Sequence, residues 1–300
     1  MQTRGEQMLA LRRARNAASP PILRGGFRPF FVGGALWAVV ALCIWIASLA
    51  GSLAIPSAFD ALTWHRHEML FGFVGAIITG FLLTAIPNWT GRLPIAGGPL
   101  ASLFALWLAA RLAVFFSADL GAAVAALLDV GFYLLLAGVA AREVLESKNR
   151  NLPIVGMIVL FGIANGLDHL AAADPLVLIL HVGYAWVPVG LGLLAASQFG
   201  ALPQSAAVHA LTAGAMATMI LAVMTRATLG HTGRELRAGP ATRLIYILVT
   251  IGAVLRVGAV AWGSNYQLGL EVAGAAWAGA FLLFIAAYGP ILFAPRVGES

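Results

Sequence analysis

The chain has 300 residues, of which 61% are hydrophobic and only 10% are charged, with a formal net charge of +6. A soluble domain typically carries about 25% charged residues, so this supply is too small to clothe a water-exposed surface and the chain uses lipid as its main solvent. The positive balance is no sign of nucleic-acid binding, because basic residues of membrane proteins gather on cytoplasmic loops. The single cysteine, Cys43, excludes an intramolecular disulfide and a thiolate cluster supplied by this chain alone.

Residues 1–28 are polar and basic, with Arg4, Arg12, Arg13, Arg15, Arg24 and Arg28, and read as a cytoplasmic tail. The apolar run that follows is too long for a signal-peptide core and has no small-residue cleavage site. Residues 29–295 are expected to form one all-α, polytopic transmembrane helical bundle. A spanning helix needs about 20 apolar residues to cross ~30 Å of hydrocarbon. On that criterion about nine segments are expected, near 30–51, 62–86, 97–116, 120–141, 153–171, 175–197, 204–229, 241–262 and 269–293.

The bias of Lys and Arg orients the segments. The tail, the loop at Arg92 and the loop with Arg142, Lys148 and Arg150 all read as cytoplasmic, which agrees with five alternating crossings. Simple alternation then places the loop with Arg234, Arg237 and Arg243 outside, where basic residues are disfavoured. Either a crossing is missing or one segment near 153–197 does not span.

All six histidines lie in or at the ends of apolar segments. His65 and His67 open the second, within Trp64-His65-Arg66-His67-Glu68-Met69; His169 closes the fifth, His181 lies early in the sixth, His209 early in the seventh, and His231 follows it. Ionisable groups in a bilayer cost several kcal/mol unless paired or functional. Imidazole is also a versatile ligand for haem iron and copper. An outward start of the seventh segment, which the basic loop at Arg234–Arg243 also demands, gathers five histidines at the outer face. His231, 22 residues beyond His209, then falls about 33 Å away at the opposite face. For any single histidine, capping or carbonyl bonding is the commoner role, and His65 and His67, at i and i+2, do not share a helix face. Arg111, Asp129, Arg256 and Glu271 lie well inside segments, with Arg111 and Asp129 a natural buried pair. Met216, Met219 and Met224 read as packing before they read as copper ligands. Ala213, Gly214 and Ala217 suit close helix approach. No phosphate-binding loop, nucleophile elbow or zinc-protease motif is present.

An ordered set of motifs carries more than these parts. Gly26-Phe27-Arg28-Pro29-Phe30-Phe31 opens the first helix, residues 64–73 (WHRHEMLFGF) open the second and residues 80–92 (GFLLTAIPNWTGR) close it. Arg150-Asn151-Leu152-Pro153 precedes the fifth, residues 181–190 read HVGYAWVPVG, and residues 209–234 read HALTAGAMATMILAVMTRATLGHTGR. This set resembles the NnrS family over nearly the whole chain after residue 25. The resemblance implies a haem- and copper-containing protein of the bacterial inner membrane, tied to denitrification and to nitric oxide stress. It implies haem ligands among His65, His67, His209 and His231 and metal ligands among His65, His67, His181 and His209; His169, Glu68 and Arg226 are further candidate site residues. The lipid bilayer, a membrane redox partner and NO are the partners it implies. Family members are usually longer, with twelve helices; here a stretch expected between about Ala171 and His181 is missing.

Electron transfer through a six-coordinate haem and NO binding at an open iron both fit these residues, and whether the chain catalyses a reaction stays open. A small-solute permease using Arg111, Asp129, Arg256 and Glu271 is the rival from another class. Against it, the sequence shows no internal repeat and no paired helix breaks. A structural or assembly subunit, or a remnant that has lost the metal site, are the other readings.

Overall fold

A computed structural model of the chain describes residues 17–90, 93–147 and 175–298, together with positions 6, 10 and 14. Arg4, Arg12, Arg13, Arg15, Arg92, His169 and the fifth expected segment, 153–171, lie outside the described residues. Among the described residues there are helices and no strand, and eight helical runs are long and apolar enough to cross a membrane. These eight match the expected segments other than the fifth. The chain divides into two compact units, Met1–Asn149 with Gly289–Ser300, and Arg150–Tyr288.

The first unit begins with α1 (Phe27–Leu49). Its second span starts as α2 (Ala61–His67), passes into a π-helical stretch, π1 (Glu68–Val74), and resumes as α3 (Gly75–Thr90). Then follow α4 (Gly98–Phe115), the single turn α5 (Ser117–Leu120) and α6 (Ala122–Ser147). Asp60 sets the start of α2: its carboxylate accepts from the backbone N–H groups of Leu62 and Thr63, each at 3.1 Å, satisfying donors that the first turn leaves unpaired. The hydroxyl of Thr63 also donates to it, and these bonds hold the exposed Asp60 carboxyl below the usual carboxylate range.

Helix α1 and the second span run antiparallel in a tight register that glycines permit. A Cβ on Gly34 would stand 2.7 Å from Ile77 Cδ1, and one on Gly72 would stand 2.5 Å from Trp37 Nε1. Further along, Trp45 of α1 stacks on His65, with ring centroids 4.8 Å apart and planes 15° apart. Phe30 packs edge-on against Phe104 and Trp107 of α4 and also meets Phe132 of α6, closing an aromatic core. At the start of α1 the buried guanidinium of Arg28 donates to the carbonyls of Leu292 and Ala294, each at 2.7 Å. Those carbonyls lie at a helix C-terminus, where no intrahelical donor remains.

The second unit begins with α7 (Pro175–Gln198) and a short connection. Its next span is α8 (Gln204–His209), then a second π-helical stretch, π2 (Ala210–Met216), then α9 (Ala217–His231). Helices α10 (Pro240–Gly258) and α11 (Tyr266–Phe293) complete it, the last residues of α11 from Gly289 belonging to the first unit. Helix α9 stops at Gly233, whose φ of 73° a glycine adopts without strain, and Arg234 N–H closes the end on the Leu229 carbonyl at 3.0 Å. The interior of this unit holds hydroxyl pairs: Thr225 with Tyr246 at 2.6 Å and Thr242 with Tyr288 at 2.7 Å. In both units large apolar side chains such as Leu127, Leu134, Leu191 and Leu282 are exposed, as a lipid-facing surface requires.

Candidate functional site

In the first unit the sequence motif around His65 and His67 becomes an ionic cluster at the mouth of π1. Glu68 and Arg111 are completely buried, and Asp129 nearly so. Arg111 Nη1 donates to Glu68 Oε1 at 2.8 Å, and Arg111 also pairs with Asp129 across α4 and α6. The Arg111–Asp129 pair expected from the sequence is therefore present. The indole N–H of Trp37 donates to Glu68 Oε2 at 2.7 Å. His67 stands between the two carboxylates, Nδ1 at 3.1 Å from Glu68 Oε1 and Nε2 at 3.1 Å from Asp129 Oδ2. As placed, neither ring nitrogen of His67 presents an open lone pair to a metal. His65, two positions earlier, turns instead to Trp45, as the i, i+2 spacing requires.

The π1 backbone is tied into the same cluster. Tyr133 Oη donates to the Phe71 carbonyl at 2.5 Å, and Trp107 Nε1 donates to the Gly72 carbonyl at 3.1 Å. Stretches of π-helix are rare and concentrate at functional sites. The sequence reading missed them, and it missed Trp37 and Trp107 as partners. The signal available was a glycine at a close helix approach, Gly72, five residues after His67.

In the second unit His209 is the last residue of α8, directly before π2, and half-buried. Its Nδ1 lies 2.7 Å from the carbonyl oxygen of Ser205. A carbonyl only accepts, so Nδ1 carries the proton and Nε2 is the lone-pair nitrogen. Ligating histidines are oriented in this way, with the far N–H held by a carbonyl or carboxylate. The small residues Ala206, Ala207 and Ala210 flank it and are buried.

The expected gathering of histidines at one face does not hold within this unit. Helix α7 and the α8–π2–α9 span form an antiparallel hairpin whose register is fixed by glycine contacts. A Cβ on Gly190 would lie 2.5 Å from Leu211 Cδ2, and one on Gly183 would lie 2.5 Å from Met219 Cγ. His181 thus lies level with about residue 220, some 11 positions or roughly 16 Å along the helix from His209. A sixth segment read separately from the seventh hides this, because early positions in two antiparallel helices fall at opposite ends. His181 is thus about as far along the hairpin from His231, the exposed last residue of α9, as it is from His209, and Arg226 on α9 is also exposed. His209 and His231 stand at the two ends of one span, as the sequence spacing indicated. Met224 is fully buried and Met219 faces Gly183, so both pack as expected. Among the described residues no group of three or more His, Cys, Asp or Glu side chains is placed to hold a metal ion.

The family model described as NnrS protein matches residues 21–174 and 168–296. The chain belongs to the NnrS family. It is a multi-pass membrane protein of a family linked to the nitric oxide response. The two matched segments meet at residues 168–174, where the sequence reading placed the missing stretch of the longer NnrS pattern. Neither the curated proteins nor the solved structures contain a match to the chain.

Proposed function

We propose that this NnrS chain is a haem protein of the bacterial inner membrane, with its N-terminus cytoplasmic, acting in the response to nitric oxide. Copper is the second metal of the proposal, and a membrane redox partner supplies or takes electrons. The observation that carries the reading is His209: a half-buried imidazole whose proton is fixed on Nδ1 by the Ser205 carbonyl, the tautomer in which ligating histidines are held. The donor chemistry and the small neighbours suit a histidine that would hold haem iron. Haem held there would supply a redox-active iron able to carry electrons or to take NO. The chain's own part is to orient the imidazole and to surround it with apolar helix surface that excludes water. His65, half-buried against Trp45, is a further candidate ligand within the first unit, and His181 and His231 are further candidates within the second.

The test is the visible spectrum of the detergent-purified protein, oxidised and dithionite-reduced, before and after addition of NO. Soret and α/β bands that move with NO support an open iron, and bands unmoved by NO support an electron carrier. A colourless protein from haem-replete cells refutes the proposal.

A specific observation keeps the permease reading alive as second: each unit carries a π-helical interruption within a span, next to a chemistry-bearing residue. Uptake of labelled solute into proteoliposomes, abolished by Asp129→Asn, supports that reading, and no uptake removes it.

A further inference from the structure

Each unit, read by itself, shows the same construction. The first span carries a Gly-x-x-Trp, Gly34 to Trp37 in one and Gly183 to Trp186 in the other. The second span carries a histidine, then a seven-residue π-helical stretch, π1 after His67 and π2 after His209. Five residues after each histidine stands a glycine, Gly72 or Gly214, and ten after it stands Ile77 or Met219. These are the residues that meet. Gly72 faces the Trp37 indole and Gly214 the Trp186 indole, where added Cβ atoms would come within 2.5 and 2.6 Å; Gly34 faces Ile77 and Gly183 faces Met219. The pattern continues along the chain. Thr90-Gly91-Arg92 follows His67, and Thr232-Gly233-Arg234 follows His209, by the same 23 positions. Gly98-Pro99 and Gly239-Pro240 then open the third span of each unit. One shared residue is ordinary; matching sequence, matching π-stretches and matching contact pairs in one register are not.

The charges do not repeat. Glu68 corresponds to Ala210, and Arg111, counted from the shared Gly-Pro, corresponds to Gly252. Where Arg111 reaches Asp129 between the third and fourth spans of the first unit, a Cβ on Gly252 would meet the Trp277 backbone N at 2.8 Å. The second unit therefore builds the same helices and the same π-stretch with a neutral contact, so the scaffold does not require the ionic cluster.

We infer that the chain contains two copies of one four-span unit, diverged at a shared histidine position so that His209 is the metal-ligating member and His67 is a structural member of the Glu68–Arg111–Asp129 cluster. This rests on the haem reading above for the metal itself. The absence of an internal repeat, expected from the sequence, is thereby corrected: the first-span offset differs from the second-span offset by the longer hairpin connection of the first unit, which breaks a simple alignment.

The full-length purified protein tests it in two measurements. Haem per polypeptide, by pyridine haemochrome, is expected to fall at least about tenfold in His209→Ala, as for loss of a ligand or its orienting partner. Imidazole added to His209→Gly restores it, which a merely structural histidine does not allow, while His67→Ala keeps haem in the folded fraction. Haem lost in His67→Ala and kept in His209→Ala, or lost in both, overturns the division. The second measurement needs no metal: diethylpyrocarbonate labelling read by mass spectrometry. His67 is expected to be protected in the wild type and to label in Asp129→Ala, a variant that keeps the Arg111–Glu68 pair. A colourless wild type with this labelling pattern sinks the haem reading and not the structural role of His67; equal labelling of His67 in both proteins overturns that role.

Discussion

Removing Arg111 is the sharpest perturbation of the first unit. The guanidinium is fully buried between Glu68 and Asp129, so Arg111→Leu leaves two carboxylates near each other with one buried partner gone. Breaking a buried pair from one side costs about 3–5 kcal/mol, because an uncompensated charge stays inside. Against a typical total stability of ~5–15 kcal/mol, that is about a fifth or more of the whole. The triple variant Glu68→Gln/Arg111→Leu/Asp129→Asn removes every charge together and leaves no such orphan. Replacing a whole buried ionic set is often close to neutral, and the second unit shows the neutral solution with Ala210 and Gly252. Unfolding of the purified protein in mixed micelles, titrated with SDS, gives both values. The reasoning fails if Arg111→Leu sits within about 0.5 kcal/mol of wild type, the range of an ordinary surface change. It fails equally if the triple variant is as damaged as the single one.

Gly214→Ala places a methyl group against the Trp186 indole and is expected to cost about 1–3 kcal/mol by overpacking, with Trp186→Leu restoring part of it in the double variant; additive losses in the micelle titration argue against the contact. Asp60→Ala frays the start of α2, seen as faster hydrogen exchange at Leu62 and Thr63, while Asp60→Asn retains the cap. Because the Asp60 carboxyl sits below its ordinary range, its stabilisation is complete above the usual carboxylate pKa and fades as pH falls through the folded value; exchange at Leu62 that is insensitive to pH across the acid range contradicts this. A reporter tag inserted at Arg237 is expected to read cytoplasmic, because Arg234, Arg237 and Arg243 make that loop basic; an exterior signal refutes the assignment.

The helices were legible because their length and apolarity leave one solution in lipid, where backbone groups must bond within the segment. The Arg111–Asp129 pair was legible for a related reason: two isolated charges in apolar spans need each other. What stayed hidden depends on contact register. The π-stretches carry no Pro or Gly-Pro signature of their own and show only when Trp37 or Trp186 is seen pressed onto a glycine. His67 reads like a ligand in its motif, and the carboxylate of Asp129, 62 residues further along, is what occupies its Nε2. His181 and His209 both look early in their segments, and only the antiparallel hairpin separates them.

The central claim is that this NnrS chain binds haem through His209. The most direct measurement is haem per polypeptide in wild-type protein purified from haem-replete membranes, with mass spectrometry confirming the intact chain. The account predicts a stoichiometric b-type haemochrome that disappears in His209→Ala. A folded, colourless wild-type protein contradicts it.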